Sequence, residues 1–521
     1  MTKICFITLL AAVTPVSLAS LPFVHSEPTH PDTAQSIALA TSRISAADLQ
    51  KDLAILRQSL EVIHPGLYRY TTPADLAVRW DALNTFASQD RALTETFLTL
   101  SQFLATIKCG HTYTNFFNQP KEIAATLLQH NQHLPFHFRW IDRRMIVTHP
   151  FTTDSRLVRG SEILSINNTP SSEILTKLLT IARADGSNDA KRIRYLEITA
   201  GSRYEAFDVY FPLFFPSSSP DFTITFLPPN SSSPITITEK ANTYAQRRAQ
   251  AQQLATAPTA NDAPLWTVTT LASDSHAPAA LLTMPTWSVY NTKWNWLNTT
   301  MDSLAKSDTK TLIVDLRGNE GGNDCGNLII SYLITKDLTI ANTQRFTRYQ
   351  KTPADLNPYL DTWDNSFRDW GNQAQPIPTP PFVSSGNQAY FRLARYDDNP
   401  SGTVITASPN RYSGKVFILV DASCSSATFQ FASLIQREKL ATIVGEPTGG
   451  NQRGINGGAF FFLRLPHSKI EVDLPLIAAF PQDPNTPDAG LTPDILIPTT
   501  AADIASGNDP ALQAVKTLLA K

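Results

Sequence analysis

The sequence predicts a multidomain α/β protein with a helical N-terminal region, a β-rich middle and a mostly parallel α/β core. Three observations predict it. Apolar residues recur at helical spacing between Ser45 and Gly110; short alternating runs separated by turn residues fill the middle; strands alternate with helices from about residue 265 onward. A chain of 521 residues exceeds one ordinary domain. Apolar residues at 42% and charged residues at 17% suit globular cores, and a net charge of −2 without a basic block argues against nucleic acid as a partner.

The opening stretch MTKICFITLLAAVTPVSLAS has a lysine, an apolar run, and small residues at Ser17 and Ala19. It reads as a signal peptide over 1–19, cut near Ala19, with an uncleaved anchor as the alternative. The run is too short to span a bilayer, so the mature chain is expected to be exported, periplasmic or secreted, without stable membrane insertion. Residues 20–44 read as a flexible lead.

Residues 45–118 form the helical region. Leu49, Leu53, Leu56, Leu60 and Ile63 share a helix face, with Ser45 as N-cap and His64-Pro65-Gly66 as the stop. Phe97, Leu100, Leu104 and Ile107 mark a second helix, expected to end at Gly110. Residues 130–240 carry the strand-like runs FHFRW, RMIVTH, EILSIN, FTITFL and ITITEK, with one helix, SSEILTKLLTIARA. An Ala/Gln-rich helix and the stretch TAPTANDAP make a linker over 241–264. In 265–521, TLIVDL, VFILVD and ATIVGE read as buried strands, the first two each followed by a turn and a helix; this order predicts parallel strands with function at their carboxyl ends. A Pro-rich insertion over 341–412 is expected to be a lid or flap.

Two of these turns carry chemistry. Asp315-Leu-Arg-Gly-Asn-Glu-Gly-Gly322 offers glycine N–H groups ahead of a helix, suited to an oxyanion. Asp421-Ala-Ser-Cys-Ser-Ser-Ala427 places serines at the mouth of a helix after a buried strand, where unpaired N–H groups favour developing negative charge. Taken singly, the glycine turn reads as structural and each serine as a helix cap.

Taken together, TLIVDLRGNEGG, VFILVDASCSSATFQFA and ATIVGEPTGG, in this order and spacing, resemble the catalytic domain of the tail-specific and tricorn-core serine peptidases. The resemblance extends to the N-terminal helices, to a PDZ-like middle around Arg159–Asn168, and to the closing Gly490-Leu-Thr-Pro-Asp494. It implies a crotonase/Clp-like core and a serine peptidase acting on polypeptides, including carboxyl-end processing, with no metal or cofactor. Its register puts the nucleophile at Ser426, with Ser423 and Ser425 as turn residues. It implies an oxyanion hole of backbone N–H groups around Gly321 and Gly322 and from Ala427. Cys424 is a minor alternative nucleophile.

One branch of the family takes the serine proton with a lysine about 25 positions downstream. Position 451 is asparagine, followed by Gln452 and Arg453. The tricorn-like branch uses a histidine from the N-terminal helices, and Lys108-Cys-Gly-His-Thr112 supplies His111, a residue type that titrates near neutrality. His64 is expected to pack or cap. For the acid that orients the imidazole, the resemblance points to the closing run, giving Asp488, with Asp483 in reserve and Glu446 more distant. Glu320 is expected to face solvent or shape the glycine turn.

Cys109, Cys325 and Cys424 all lie beside these turns; two could pair if the turns converge, and otherwise they are small buried residues. The alternative reading is a non-catalytic peptide- or ligand-binding protein on the same scaffold. Another acyl substrate, an ester or a cell-wall peptide, and an oligomeric assembly both stay open.

Overall fold

The computed structural model describes residues 42–519 apart from 201, 255–265, 272–277, 290–291, 341–344, 381–382, 384–388, 394–403, 482 and 484. The expected signal peptide and its cut near Ala19 lie outside the described residues. Among the described residues no helix is long and apolar enough to cross a membrane.

Helix α1 (Ala46–Ile63) starts where Ser45 accepts from Asp48 N, satisfying one of the first-turn amides, and it buries Leu49, Leu53, Leu56, Leu60 and Ile63. Full burial of such side chains contributes about 1.5–3 kcal/mol each. Helix α2 (Pro73–Phe86), unforeseen from sequence, has Thr72 as N-cap and Pro73 in its first turn. Helix α3 (Leu93–Ala105) buries Phe97, Leu100 and Leu104. It stops at Ala105, not at Gly110 as expected, and Lys108 turns the chain with a φ of 56°.

The β-rich region contains β1 (Phe136–Ile141), β2 (Arg144–Pro150), β3 (Glu162–Ile166), α4 (Ser171–Leu178), α5 (Asp189–Tyr195), α6 (Ala206–Phe214), β4 (Asp221–Leu227) and β5 (Ile235–Lys240). Its strands pair antiparallel in the order β1-β2-β3-β4-β5. Period-two burial in β4, whose sequence is DFTITFL, shows one face on the core and one outward. Helix α7 (Tyr244–Leu254) follows.

The parallel core has β6 (Thr267–Leu271), β7 (Ala279–Thr283), α8 (Thr292–Lys306), β8 (Thr311–Asp315) and α9 (Gly326–Leu333). After these come β9 (Arg345–Thr347), β10 (Leu360–Asp361), β11 (Ala374–Ile377) and β12 (Tyr390–Leu393) from the insertion. Then follow β13 (Lys415–Val420), α10 (Ser426–Arg437), β14 (Thr442–Gly445), β15 (Asn456–Arg464), β16 (Glu471–Ala479), β17 (Ile495–Leu496) and α11 (Pro510–Leu519). The sheet order is β17-β14-β13-β8-β7-β6, parallel except for β6. The register of Thr311 on Lys415 through Asp315 on Leu419 brings the ends of β8 and β13 side by side. The glycine turn and the serine turn therefore leave the sheet as neighbours.

The insertion, expected to be a lid or flap, contributes strands to a second sheet. Four of its described strands join β15 and β16 in this sheet, ordered β10-β15-β16-β9-β12-β11 and antiparallel throughout, while Val404–Ile405 pairs with Leu338–Thr339. Strands β15 and β16 need a partner on each edge, and the insertion supplies it. Leu56, Phe97, Phe138, Phe207, Phe461 and Leu474 share one apolar core, so the helical region, the β-rich region and the second sheet pack as a unit. A separate core fills the space between the parallel sheet and α8, α9 and α10.

Candidate active site

At the end of β13 the chain turns through Asp421–Ser425, and Ser426 opens α10 with a φ of 52°. A left-handed backbone costs a non-glycine residue on the order of 1–3 kcal/mol and persists only where the surroundings impose it. A strained serine between strand and helix is the physical content of a nucleophile elbow, here without the G-x-S-x-G pattern. The glycine turn imposes it. A Cβ placed on Gly321, itself at φ 101°, would lie 2.8 Å from Ser426 Cβ and 2.9 Å from Ala427 N. No side chain fits between the two turns there.

Polar bonds lock the turns together. Asp421 accepts from Gly318 N at 3.1 Å and from Ser423 N at 2.9 Å. Burial alone would push its carboxyl up, but Arg194 and the two amides hold it below the ordinary range. Asn319, fully buried, donates to Met284 O at 2.7 Å and accepts from Thr428 Oγ1 at 2.9 Å. Asn319 Oδ1 also accepts from Gly321 N at 2.9 Å.

That last bond corrects one expectation. Gly321 N–H is committed to Asn319 and is not available to an oxyanion. In the parallel bridge between Gly322 and Trp287, Gly321 O and Asn323 N do the pairing, so Gly322 N–H points to the other side. Ala427 N–H lies in the first turn of α10, where no intrahelical acceptor exists. Gly322 and Ala427 are the donors that remain.

His111 stands across from these turns. A cavity of about 370 Å³ is lined by His111, Asp185, Lys191, Glu320 and Ser425, with Trp363, Phe460 and Phe462 as an aromatic wall. Ser425 and Glu320 are the residues just before Ser426 and Gly321, so one residue of each turn lines this cavity. The imidazole tilts against Phe460 at 5.7 Å between ring centres, and its Nδ1 is buried without a partner. Ser426 and His111 share no hydrogen bond in this structure; nucleophile–base bonds often tighten only with substrate. Burial first, then Arg183 and Lys191, hold His111 below the ordinary histidine range, against the opposing pull of Asp185.

The acid assignment from sequence needs correction. Asp488 Oδ1 accepts from Ser187 N at 3.0 Å and Asn451 Nδ2 at 2.7 Å, and does not bond to His111. Asp483 accepts from Asn485 within its own loop. Glu446 is tied to Arg139 and Thr499. Of the two carboxylates that line the cavity and act on His111, Asp185 has the larger effect and Glu320 the smaller; neither bonds to the ring, and Asp185 accepts from Gly110 N at 2.9 Å. Asn451 Nδ2 also donates to Asp185 O at 3.0 Å. Asp488 and Asn451 therefore brace the loop that carries Asp185, one step removed from the imidazole.

His64 does pack and cap: fully buried, it meets Thr112 Oγ1 at 2.8 Å and accepts from Gly66 N. Burial, with Arg69 and Arg348, lowers it to about 3. The three cysteines are unpaired buried thiols. Burial pushes Cys424 well above its ordinary range, and its Sγ donates to Leu316 O at 3.1 Å, which makes it inert as a nucleophile.

Sequence reasoning missed Asp185, Arg183 and Lys191. All three come from the β-rich region, in a stretch (ARADGSNDAKRIRYLE) that matches none of the motifs above. Glu320, expected to face solvent or shape the glycine turn, is 55% exposed and ion-paired with Lys191.

Residues 279–497 match Peptidase family S41. No curated protein matches the chain by sequence. Among solved structures, mature CPAF is 16% identical with a TM-score of 0.60, the match covering 91% of this chain and 97% of that one. Mature CPAF complexed with lactacystin is 15% identical with the same TM-score and coverage. The photosystem II D1 C-terminal processing protease is 14% identical over 89% of this chain and 98% of that one, at a TM-score of 0.39.

Proposed function

Residues 279–497 form a Peptidase family S41 domain, which makes the chain a serine peptidase; from this premise we propose that it cleaves polypeptides through an acyl-enzyme on Ser426. His111 takes the Ser426 proton as Oγ attacks the peptide carbonyl. Gly322 and Ala427 N–H groups receive the oxyanion. His111 then passes the proton to the leaving amine, and water, deprotonated by His111, releases the acyl group. Asp185 is the carboxylate that stabilises the imidazolium, and Asp488 steadies its loop.

The observation that carries this reading is the strained Ser426, wedged against Gly321 and next in the chain to Ser425, which lines the same cavity as His111. The aromatic wall of Trp363, Phe460 and Phe462 suits apolar side chains of an unfolded segment or chain end. The leader supports export to the periplasm or beyond, and the antiparallel sheet of the β-rich region with α4 supports a PDZ-like module.

The test is labelling with a fluorophosphonate probe and mapping of the modified peptide. We expect label on Ser426, lost in Ser426→Ala and in His111→Ala. In peptide hydrolysis each change is expected to lower kcat by about 10³–10⁶. Label on Ser425, or undiminished label in His111→Ala, would overturn the assignment.

A further inference from the structure

Lys191 is 4% exposed, a rare degree of burial for a lysine, and it sits at the junction of both catalytic turns. It arrives on α5 of the β-rich region, not from the S41 domain. Its Nζ pairs with Glu320 of the glycine turn, and donates to Ser423 O at 3.3 Å and to Ser425 Oγ at 3.4 Å in the serine turn. One turn along α5, Arg194 donates from Nε to Ser423 Oγ at 3.0 Å and pairs with Asp421 at 3.5 Å. The helix therefore clasps the residues that precede Ser426 and the residue that precedes Gly321.

Lys191 is close enough to a serine hydroxyl to suggest a base, but its Nζ is ion-paired with Glu320 and also donates to the Ser423 carbonyl, and its serine contact is to Ser425, not Ser426. Its bonds run instead to groups whose positions set Ser426. The Ser425 side chain makes no cap bond to α10, so that side chain contributes nothing within the helix to fixing the start. Lys191 fixes it from outside.

We propose that Lys191, held by Glu320, is a positioning residue that keeps the serine turn and the glycine turn in register and so aligns the nucleophile. This rests on Ser426 being the nucleophile. The pair also accounts for the charge of Glu320: although desolvation beside the packed turns opposes it, Lys191 and Arg183 lower its carboxyl to about 2.

The experiment measures the second-order rate of fluorophosphonate labelling, together with kcat and KM on a peptide, for Lys191→Met, Lys191→Arg, Glu320→Gln and the Lys191→Met/Glu320→Gln double variant. Wild-type labelling on Ser426 is the control; if that fails, the Ser426 reading is what falls. We expect Lys191→Met to lower the labelling rate and kcat at least tenfold with KM changed less than threefold. Lys191→Arg should recover part of that loss. Glu320→Gln should label at least threefold more slowly, and the double variant no more slowly than Lys191→Met alone. Glu320 is exposed, so its variant decides the matter if Lys191→Met does not fold. A wild-type labelling rate in Glu320→Gln or in folded Lys191→Met overturns the proposal, as does multiplication of the two single losses in the double variant.

Discussion

Gly321 and Ser426 touch so closely that a methyl group on the glycine would sit 2.8 Å from the serine Cβ. The strain at Ser426 and the left-handed φ at Gly321 are two sides of one contact. Gly321→Ala should thus act on catalysis before it acts on folding. We expect kcat/KM to fall by about 10²-fold or more, as expected for a displacement on the order of 1 Å at a nucleophile. The melting temperature should fall only by what one strained residue costs. Steady-state kinetics beside a thermal melt checks it; unchanged kcat/KM would mean that the contact does not set the nucleophile.

The pH profile follows from the surroundings of His111. A general base works while neutral, and burial with Arg183 and Lys191 lowers the pH at which it protonates. The acidic limb of kcat/KM should therefore lie below the ordinary histidine value, and activity should persist in mildly acid solution. Asp185 acts in the opposite direction, favouring the imidazolium. Asp185→Asn should move the limb further to acid and lower kcat, whereas Asp488→Asn should lower kcat without moving the limb. A limb at or above the ordinary value would contradict the burial of the ring seen here.

Asp473 offers a separate pH signature. It lies in the same cavity, and although Asn115 donates to it at 2.7 Å, burial pushes it up to about 7. The folded state holds a proton that the unfolded chain has already released. That contribution to stability is complete below the ordinary aspartate range and is lost as pH rises through about 7. Asp473→Asn keeps an acceptor for Asn115 and cannot ionise. Its melting temperature relative to wild type should be higher at pH 8 than at pH 5; a pH-independent difference would show that Asp473 is ionised throughout.

Much of this arrangement was legible in the chain, and what escaped has a common cause. Ser45, the leucines of α1 and the strands TLIVDL and VFILVD stand out because local capping and continuous apolar burial write themselves into adjacent residues. Their pairing also follows, since strand-helix alternation leaves few other ways to close the sheet. The end of α3 was misplaced because Gly110 looks like a C-terminal glycine, whereas its N–H serves Asp185, 75 residues away. The sheet that the insertion joins was not legible because its strands are short, and their partner edges on β15 and β16 come much later in sequence. Asp185, Lys191 and Arg194 could not be found by spacing: each acts on a turn contributed by a different region, and a charged seven-residue helix has no pattern that separates a clasp from a surface.

Asn451 lies 25 positions after Ser426, where the resemblance to the lysine-dependent branch would lead one to look for its base, and its environment is unsuited to a lysine in that role. The side chain is fully buried; Nδ2 donates to Asp185 O and Asp488 Oδ1, while Oδ1 accepts from Arg453 N at 2.9 Å. Every polar atom of the amide is engaged in holding the loop behind His111. Asn451→Ala would leave buried partners unsatisfied, at a cost of about 1–3 kcal/mol for each group. We expect a melting temperature several degrees lower and a drop in kcat comparable to that of Asp488→Asn, because both release the same loop. Asn451→Lys should not rescue His111→Ala, since the added ammonium would be drawn to Asp488, away from Ser426, and would have no dry apolar pocket in which to lose its proton. Rescue of peptidase activity in that double variant would show that the serine can be served from position 451 after all, and would move the base from the helical region to the loop after β14.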